Sequence, residues 1–120
     1  MLCYSRDGLL VAVPGSDEKG ETFCLDIRSL PSGALLESMK IGSRRPLDAA
    51  FSADARFIAC SVVDESSRPF TFSVRRYSLE EGASSVWSVP FEDPLTLACS
   101  PDRDVLYGVG SGRLYFWPFR

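Results

Sequence analysis

Leu47-Asp-Ala-Ala-Phe-Ser-Ala-Asp-Ala-Arg-Phe-Ile-Ala-Cys-Ser-Val-Val63 reads as two short apolar strands hinged on a tight turn, Ser52-Ala-Asp-Ala55. The chain contains this arrangement three times. Upstream stands Cys3-Tyr-Ser-Arg-Asp-Gly-Leu-Leu-Val-Ala12, and downstream Ala98-Cys-Ser-Pro-Asp-Arg-Asp-Val-Leu-Tyr107. The turn serines Ser5, Ser52 and Ser100 are 47 and 48 residues apart. A period in the range of roughly 20–50 residues marks a repeat architecture, in which each unit buries its apolar face against a neighbour.

Turn chemistry supports the reading. Pro101 presets the φ that the second position of a type I turn needs, and Ser and Asp side chains can hydrogen-bond the nearby backbone. After the Asp, Gly8 accepts a left-handed conformation freely. Ala55 and Arg103 would pay about 1–2 kcal/mol for it, so each of those turns either relaxes or is held by packing.

Further strands flank each hinge. In the first unit, residues 8–13 form a continuous apolar run, as expected of a strand buried on both faces. A polar loop (14–21) follows, then residues 22–28, where Phe23, Leu25 and Ile27 alternate with Cys24 and Asp26. A turn at 29–34 leads to a last strand at 35–41. The second unit repeats the order with strands at 47–51 and 56–63, a loop at 64–69, a strand at 70–77 with Phe70, Phe72 and Val74 in phase, and a strand at 85–89. Its turn Ser78-Leu-Glu-Glu-Gly-Ala83 matches Ser29-Leu-Pro-Ser-Gly-Ala34. The third unit has strands at 94–99 and 104–109, a turn at 110–112, and the apolar end Leu114-Tyr-Phe-Trp-Pro-Phe119. Four short strands per unit, joined as a meander, predict an all-β chain of four-stranded antiparallel blades with no helix beyond a turn or two. The core is expected at Phe51, Phe57, Ile58, Cys60, Phe72, Val74, Leu97, Val105 and Leu106.

The pattern Phe-Ser-x-Asp, followed by two apolar residues and Ala, resembles the blade signature of WD-repeat, TolB-like and prolyl-oligopeptidase-type β-propellers. The resemblance covers nearly the whole chain, three times. A Trp-Asp strand ending is lacking, Trp117-Pro118 being the nearest approach, and a Gly-His pair is impossible without His. The resemblance therefore leans toward the TolB-like group. It implies one segment of an incomplete ring, with blade 1 at 1–41 (first strand truncated), blade 2 at 42–89, and blade 3 at 90–120 (fourth strand missing).

Composition narrows the function classes. Thirteen bases against sixteen acids give a net charge of −3, and the eleven arginines are scattered, which disfavours nucleic acid. No stretch approaches the ~20 apolar residues of a membrane helix. The four cysteines Cys3, Cys24, Cys60 and Cys99 form no C-x-x-C, so neither zinc nor another cofactor is spelled out. They read as reduced thiols among apolar neighbours, and cytoplasm is the default compartment. Without His, no Ser-His-Asp or Cys-His catalysis fits within this chain. Gly108-x-Gly110-x-Gly112 has no following helix to hold a phosphate and reads as a hairpin. Arg75 and Arg76 lie on one strand and point to opposite faces.

A propeller gathers its second-to-third-strand loops and inter-blade loops on one rim. These bring Asp17, Glu18, Arg44, Arg45, Asp64, Glu65, Arg68, Phe91 and Asp93 to one side, with exposed Arg and an aromatic in a polar surround, the make-up of a protein-binding patch. Plain solvated loops would look the same. Tyr115 and Trp117 join the candidates because they sit on an apolar terminal strand. The expected function is a non-catalytic protein-interaction scaffold, completed by further blades, a homo-oligomer or a partner strand. The alternative is the accessory propeller of a serine peptidase or hydrolase whose catalytic domain lies elsewhere; a G-x-S-x-G sequence beyond Arg120 would decide for it.

Overall fold

The computed structural model describes residues 3–66, 68–82, 84–88 and 94–119. They form eleven antiparallel strands in three sheets, joined by turns, with no helix among them. Sheet I holds β1 (Cys3–Tyr4), β2 (Leu10–Ser16), β3 (Phe23–Ser29) and β4 (Leu35–Gly42). Sheet II holds β5 (Arg45–Phe51), β6 (Phe57–Asp64), β7 (Thr71–Ser78) and β8 (Ser84–Ser88). Sheet III holds β9 (Thr96–Cys99), β10 (Val105–Gly110) and β11 (Arg113–Pro118). Each strand pairs with its neighbour in sequence. These are β-propeller blades, and they form no closed ring.

The hinge turns are equivalent. Ser5, Ser52 and Ser100 are all buried. Each donates its backbone N–H across the turn, to the carbonyls of Leu10, Phe57 and Val105 at 2.9–3.0 Å. Each also donates its hydroxyl to the Asp two residues on, at 2.6, 2.7 and 3.0 Å. Those Asp carboxylates take up a backbone N–H in the first two turns, from Leu9 and Arg56. The strain question divides the three. Gly8 sits at φ 74° and Ala55 is held at φ 60°. Ala55 and Ser111 are the two non-glycine residues with positive φ among those described, so the turn at Arg103 has relaxed. The second turn type also recurs, with Gly33 and Gly82 donating to Ser29 and Ser78 at 2.8 and 2.9 Å.

Strand ends depart from expectation at two loops. β2 runs on to Ser16, with Pro14 opposite Leu25. Pro14 lacks an N–H, but it lies past the described pairing of β1 with β2, which ends at Ala12, so no ladder bond is lost there. Similarly, β6 extends through Asp64.

Sheets I and II enclose one apolar core, in which Leu25, Ile27, Met39 and Ile41 meet Phe51, Ile58, Cys60 and Val62. Sheets II and III enclose a second, in which Ala50, Ala59 and Val74 meet Leu95, Leu97, Leu106 and Phe119. Of the expected core, Phe51, Ile58, Cys60, Val74, Leu97 and Leu106 are buried. Phe57, Phe72 and Val105 are only half-buried, and Phe70 is exposed. The phase of residues 70–74 was right, but Phe70 and Phe72 lie toward the strand's loop end, where the neighbouring sheet no longer covers them. Phe119 is the opposite case. Expected on an exposed strand, it is fully buried, because its N–H donates to the carbonyl of Asp104 at 2.9 Å and tucks the ring against Phe57, centroids 6.4 Å apart.

Candidate functional site

The meander places residues 17–22, 43–44, 65–66, 68–70 and 111–112 on one rim. The short loops there are built by their own side chains. Asp17 accepts the N–H groups of Glu21 and Thr22 at 2.8 and 3.3 Å, and these bonds hold its carboxyl below the usual range. Asp64 accepts the hydroxyl and N–H of Ser66 at 2.5 and 3.0 Å and is lowered for that reason, with Arg44 adding its charge. Arg45 pairs with Glu65 at 2.5 Å. Arg68 donates to the Glu65 carbonyl at 2.7 Å and lies over the Phe70 ring, 4.6 Å from its centroid. The β10–β11 turn is a two-residue hairpin with φ 49° at Ser111 and 75° at Gly112, the geometry of a type I′ turn.

Six of the eleven candidate residues lie close along the chain's loops: Arg44, Glu65 and Arg68 in adjoining loops, Arg45 and Asp64 at the strand ends beside them, and Asp17 capping its own loop. Glu18 is exposed beside it and makes no hydrogen bond or ion pair among the described residues. Phe91 and Asp93 lie outside the described residues. Tyr115 and Trp117 are placed apart from the rim charges. Their rings stack, 5.9 Å between centroids and 6° from parallel, and both lean on the core between sheets II and III. Gly108 makes room for them: a Cβ there would stand 3.1 Å from Trp117 Cζ3 and 3.1 Å from Leu95 Cδ1.

A second concave feature went unread in the sequence. The innermost strands β1, β5 and β9 lie side by side and line a cleft of about 400 Å³ with Cys3, Asp48, Phe51 and Leu97. At its mouth Arg6 donates to the carbonyl of Pro101, so the first hinge turn is tied to the third. Asp48 reaches across to accept the N–H of Leu97 at 2.8 Å, and Ser61 donates to the carbonyl of Leu95 at 2.9 Å. These ties lock sheet III to sheet II. Burial pushes the Cys3 thiol up to about 11 and the Cys60 thiol to about 12, the Asp48 charge adding to the latter. Both are poor nucleophiles at neutral pH. Asp48 could have been suspected as the one charge in an otherwise apolar stretch, but nothing local says that it bonds to another repeat.

Arg75 and Arg76 do take opposite faces. Arg76 crosses to the carbonyl of Phe119 and covers the Phe57 ring at 5.2 Å, while Arg75 faces the other way with its Nε buried and unbonded. On the sheet I side, Tyr77 donates to Glu37 at 2.7 Å, a bond that raises the phenol's pKa.

No protein-family model matches the sequence, and no curated protein does. Solved structures do. The chain is similar to hydrazine synthase of Kuenenia stuttgartiensis, with a TM-score of 0.79 at 17% identity over 99% of this chain and 39% of that one. It is similar to the Cps50 (Swd1) β-propeller domain of Myceliophteria thermophila, with a TM-score of 0.74 at 17% identity over 98% of this chain and 39% of that one. U3-55K matches at a TM-score of 0.71 and 16% identity, over 98% of this chain and 33% of its own. At these identities the likeness is one of fold. The chain spans between a third and two fifths of the solved chains it matches.

Proposed function

We propose that this chain is a non-catalytic scaffold that presents the rim of residues 17–22, 43–44, 65–66 and 68–70 to a protein partner, as a segment of a larger propeller assembly. The observation that carries the reading is the self-built rim. Asp17, Asp64 and the Arg45–Glu65 pair fix their loops from within, so little order remains to be imposed when a partner docks, and preorganised surfaces lose less entropy on binding. Cross-sheet bonds from Asp48 and Ser61 give the loops a stiff base. Loops on a rigid frame are the usual carriers of recognition. The mixed charge of Glu18, Arg44 and Arg68 suits a polar protein surface better than nucleic acid, and the four free cysteines suit the cytoplasm.

Site-specific photo-cross-linking in cells tests this. A photoreactive residue at position 18 or 44 should give a discrete adduct with one protein, and the same residue at position 32, on the opposite rim, should not. Equal labelling from both rims, or adducts from position 32 alone, would overturn the proposal.

A further inference from the structure

Each sheet has a forward face, turned to the next sheet in sequence, and a backward face. Two interfaces between sheets are formed among the described residues, and both press a forward face onto a backward one. The strand registers align the three sheets residue by residue: Ile58 pairs with Tyr77 as Leu106 pairs with Trp117, and Ser61 with Val74 as Val109 with Leu114. Leu25, Val74 and Leu114 therefore hold one position on the forward face, and Ile27, Arg76 and Phe116 hold the next. Leu25 and Val74 are 0% exposed, whereas Leu114 is 62%, Phe116 is 69% and Val109 is 52% exposed.

The forward face of sheet III thus keeps the apolar character of a covered face with nothing among the described residues covering it. Contiguous exposed apolar surface of this kind marks an interaction site. At the other end, no sheet among the described residues covers the backward face of sheet I. Its inner strands offer Tyr4, which is exposed, and Val13, half-buried at the position that is fully buried as Cys60 in sheet II, while Val11 between them is already buried. Its outer strands carry a satisfied polar group, in which Ser38 donates to Asp26 at 2.7 Å and Arg28 lies 3.8 Å from the same carboxylate. Apolar inner strands with polar outer ones also describe the backward face of sheet II, where Cys60 and Val62 adjoin Arg75 and Ser73.

We infer that the open forward face of sheet III docks the open backward face of sheet I from a second copy of this chain, head to tail. The two faces are the two halves of the contact already made twice within the molecule. A head-to-tail contact closes when the rotation it imposes completes a circle, and two copies bring six sheets, within the four to eight blades of known rings. The inference is independent of the rim reading, since it uses the sheet faces and leaves the loops free.

Light scattering on the 120-residue chain and two variants tests it. The wild-type chain should have twice the monomer mass of 13.2 kDa at high micromolar concentration. Phe116→Glu, blocking the forward face, and Val13→Glu, blocking the backward face, should each be monomeric with the wild-type far-ultraviolet dichroism spectrum. Mixed one to one, they should recover a dimer, because each retains the face the other lacks. A monomeric wild-type chain overturns the inference, as would be seen if further blades of a longer chain were the true cover. A dimer untouched by Val13→Glu, or one that mixing fails to restore, also overturns it. Should Val13→Glu unfold the chain, Tyr4→Glu on the same exposed face takes its place.

Discussion

Leu25 in the first sheet and Leu114 in the third are the same residue type at the same register position, one sealed and the other largely in solvent. What differs is the neighbour. Leu25 looks onto sheet II across a core that includes Phe51, Ile58 and Val62, while Leu114 looks onto nothing among the described residues. In a repeat fold the local sequence sets which face a side chain joins, and the adjacent unit sets whether that face is dry. The pair therefore separates what a blade contributes alone from what its neighbour contributes.

Truncation should show the difference most strongly. Leu25→Ala is expected to cost about 2–5 kcal/mol, the range for a buried leucine whose cavity cannot collapse. Leu114→Ala, measured by urea unfolding of the dilute chain, should cost less than about 0.5 kcal/mol, as surface substitutions do. Equal losses would mean that sheet III is covered in the isolated chain.

A smaller effect sharpens the comparison on the backward faces. Gly108 and Val13 are counterparts, but the Gly108 position is pressed by Leu95 and Trp117 at 3.1 Å. Gly108→Ala should destabilise by about 1–3 kcal/mol through overpacking, while Val13→Ala on the open face should stay below about 1 kcal/mol. A neutral Gly108→Ala in thermal unfolding would show that the Tyr115–Trp117 stack yields easily.

The hinge turns were the most legible part of the sequence. Ser5, Ser52 and Ser100 announced their equivalence because a turn is closed by residues within a few positions of one another. Strand order and the alternation of Phe23, Leu25 and Ile27 were legible for the same reason. The half-burial of Phe57 and Phe72 was not, nor the full burial of Phe119, because alternation assigns a face without saying how far the next sheet reaches over it. On the candidate rim, the residues could be listed from the meander, but their pairings, Arg45 with Glu65 and Asp64 with Ser66, depend on how the loops close. The axial cleft was invisible, since Asp48, Arg6 and Pro101 meet only when three repeats are stacked.

The turns carry a finer test. Ala55 keeps the left-handed φ that Gly8 adopts without strain, so Ala55→Gly should stabilise by roughly 0.5–1 kcal/mol, read as a rise in the unfolding midpoint. No gain would mean that the packing around Ala55 repays the strain.

The weakest contrast at neutral pH lies in the thiols. Cys60 holds its proton more tightly folded, at about 12, than at the ordinary thiol value of 9.0. Its contribution to stability is full below pH 9 and is lost as the pH rises from there toward the folded value, because the unfolded chain gives up the proton first. Cys60→Ser should flatten this alkaline decline in a pH series of denaturation midpoints.

Residue-resolved amide hydrogen exchange tests most directly that equivalent strands differ only in their neighbours. β7 and β11 are counterparts, but β7 is paired on both sides, by β6 and β8, and β11 by β10 alone among the described residues. Amides of β7 should be protected nearly to the level of global unfolding at both registers of the strand. In β11, alternate amides should exchange orders of magnitude faster, at the edge away from β10. Uniform, β7-like protection along β11 would contradict the account.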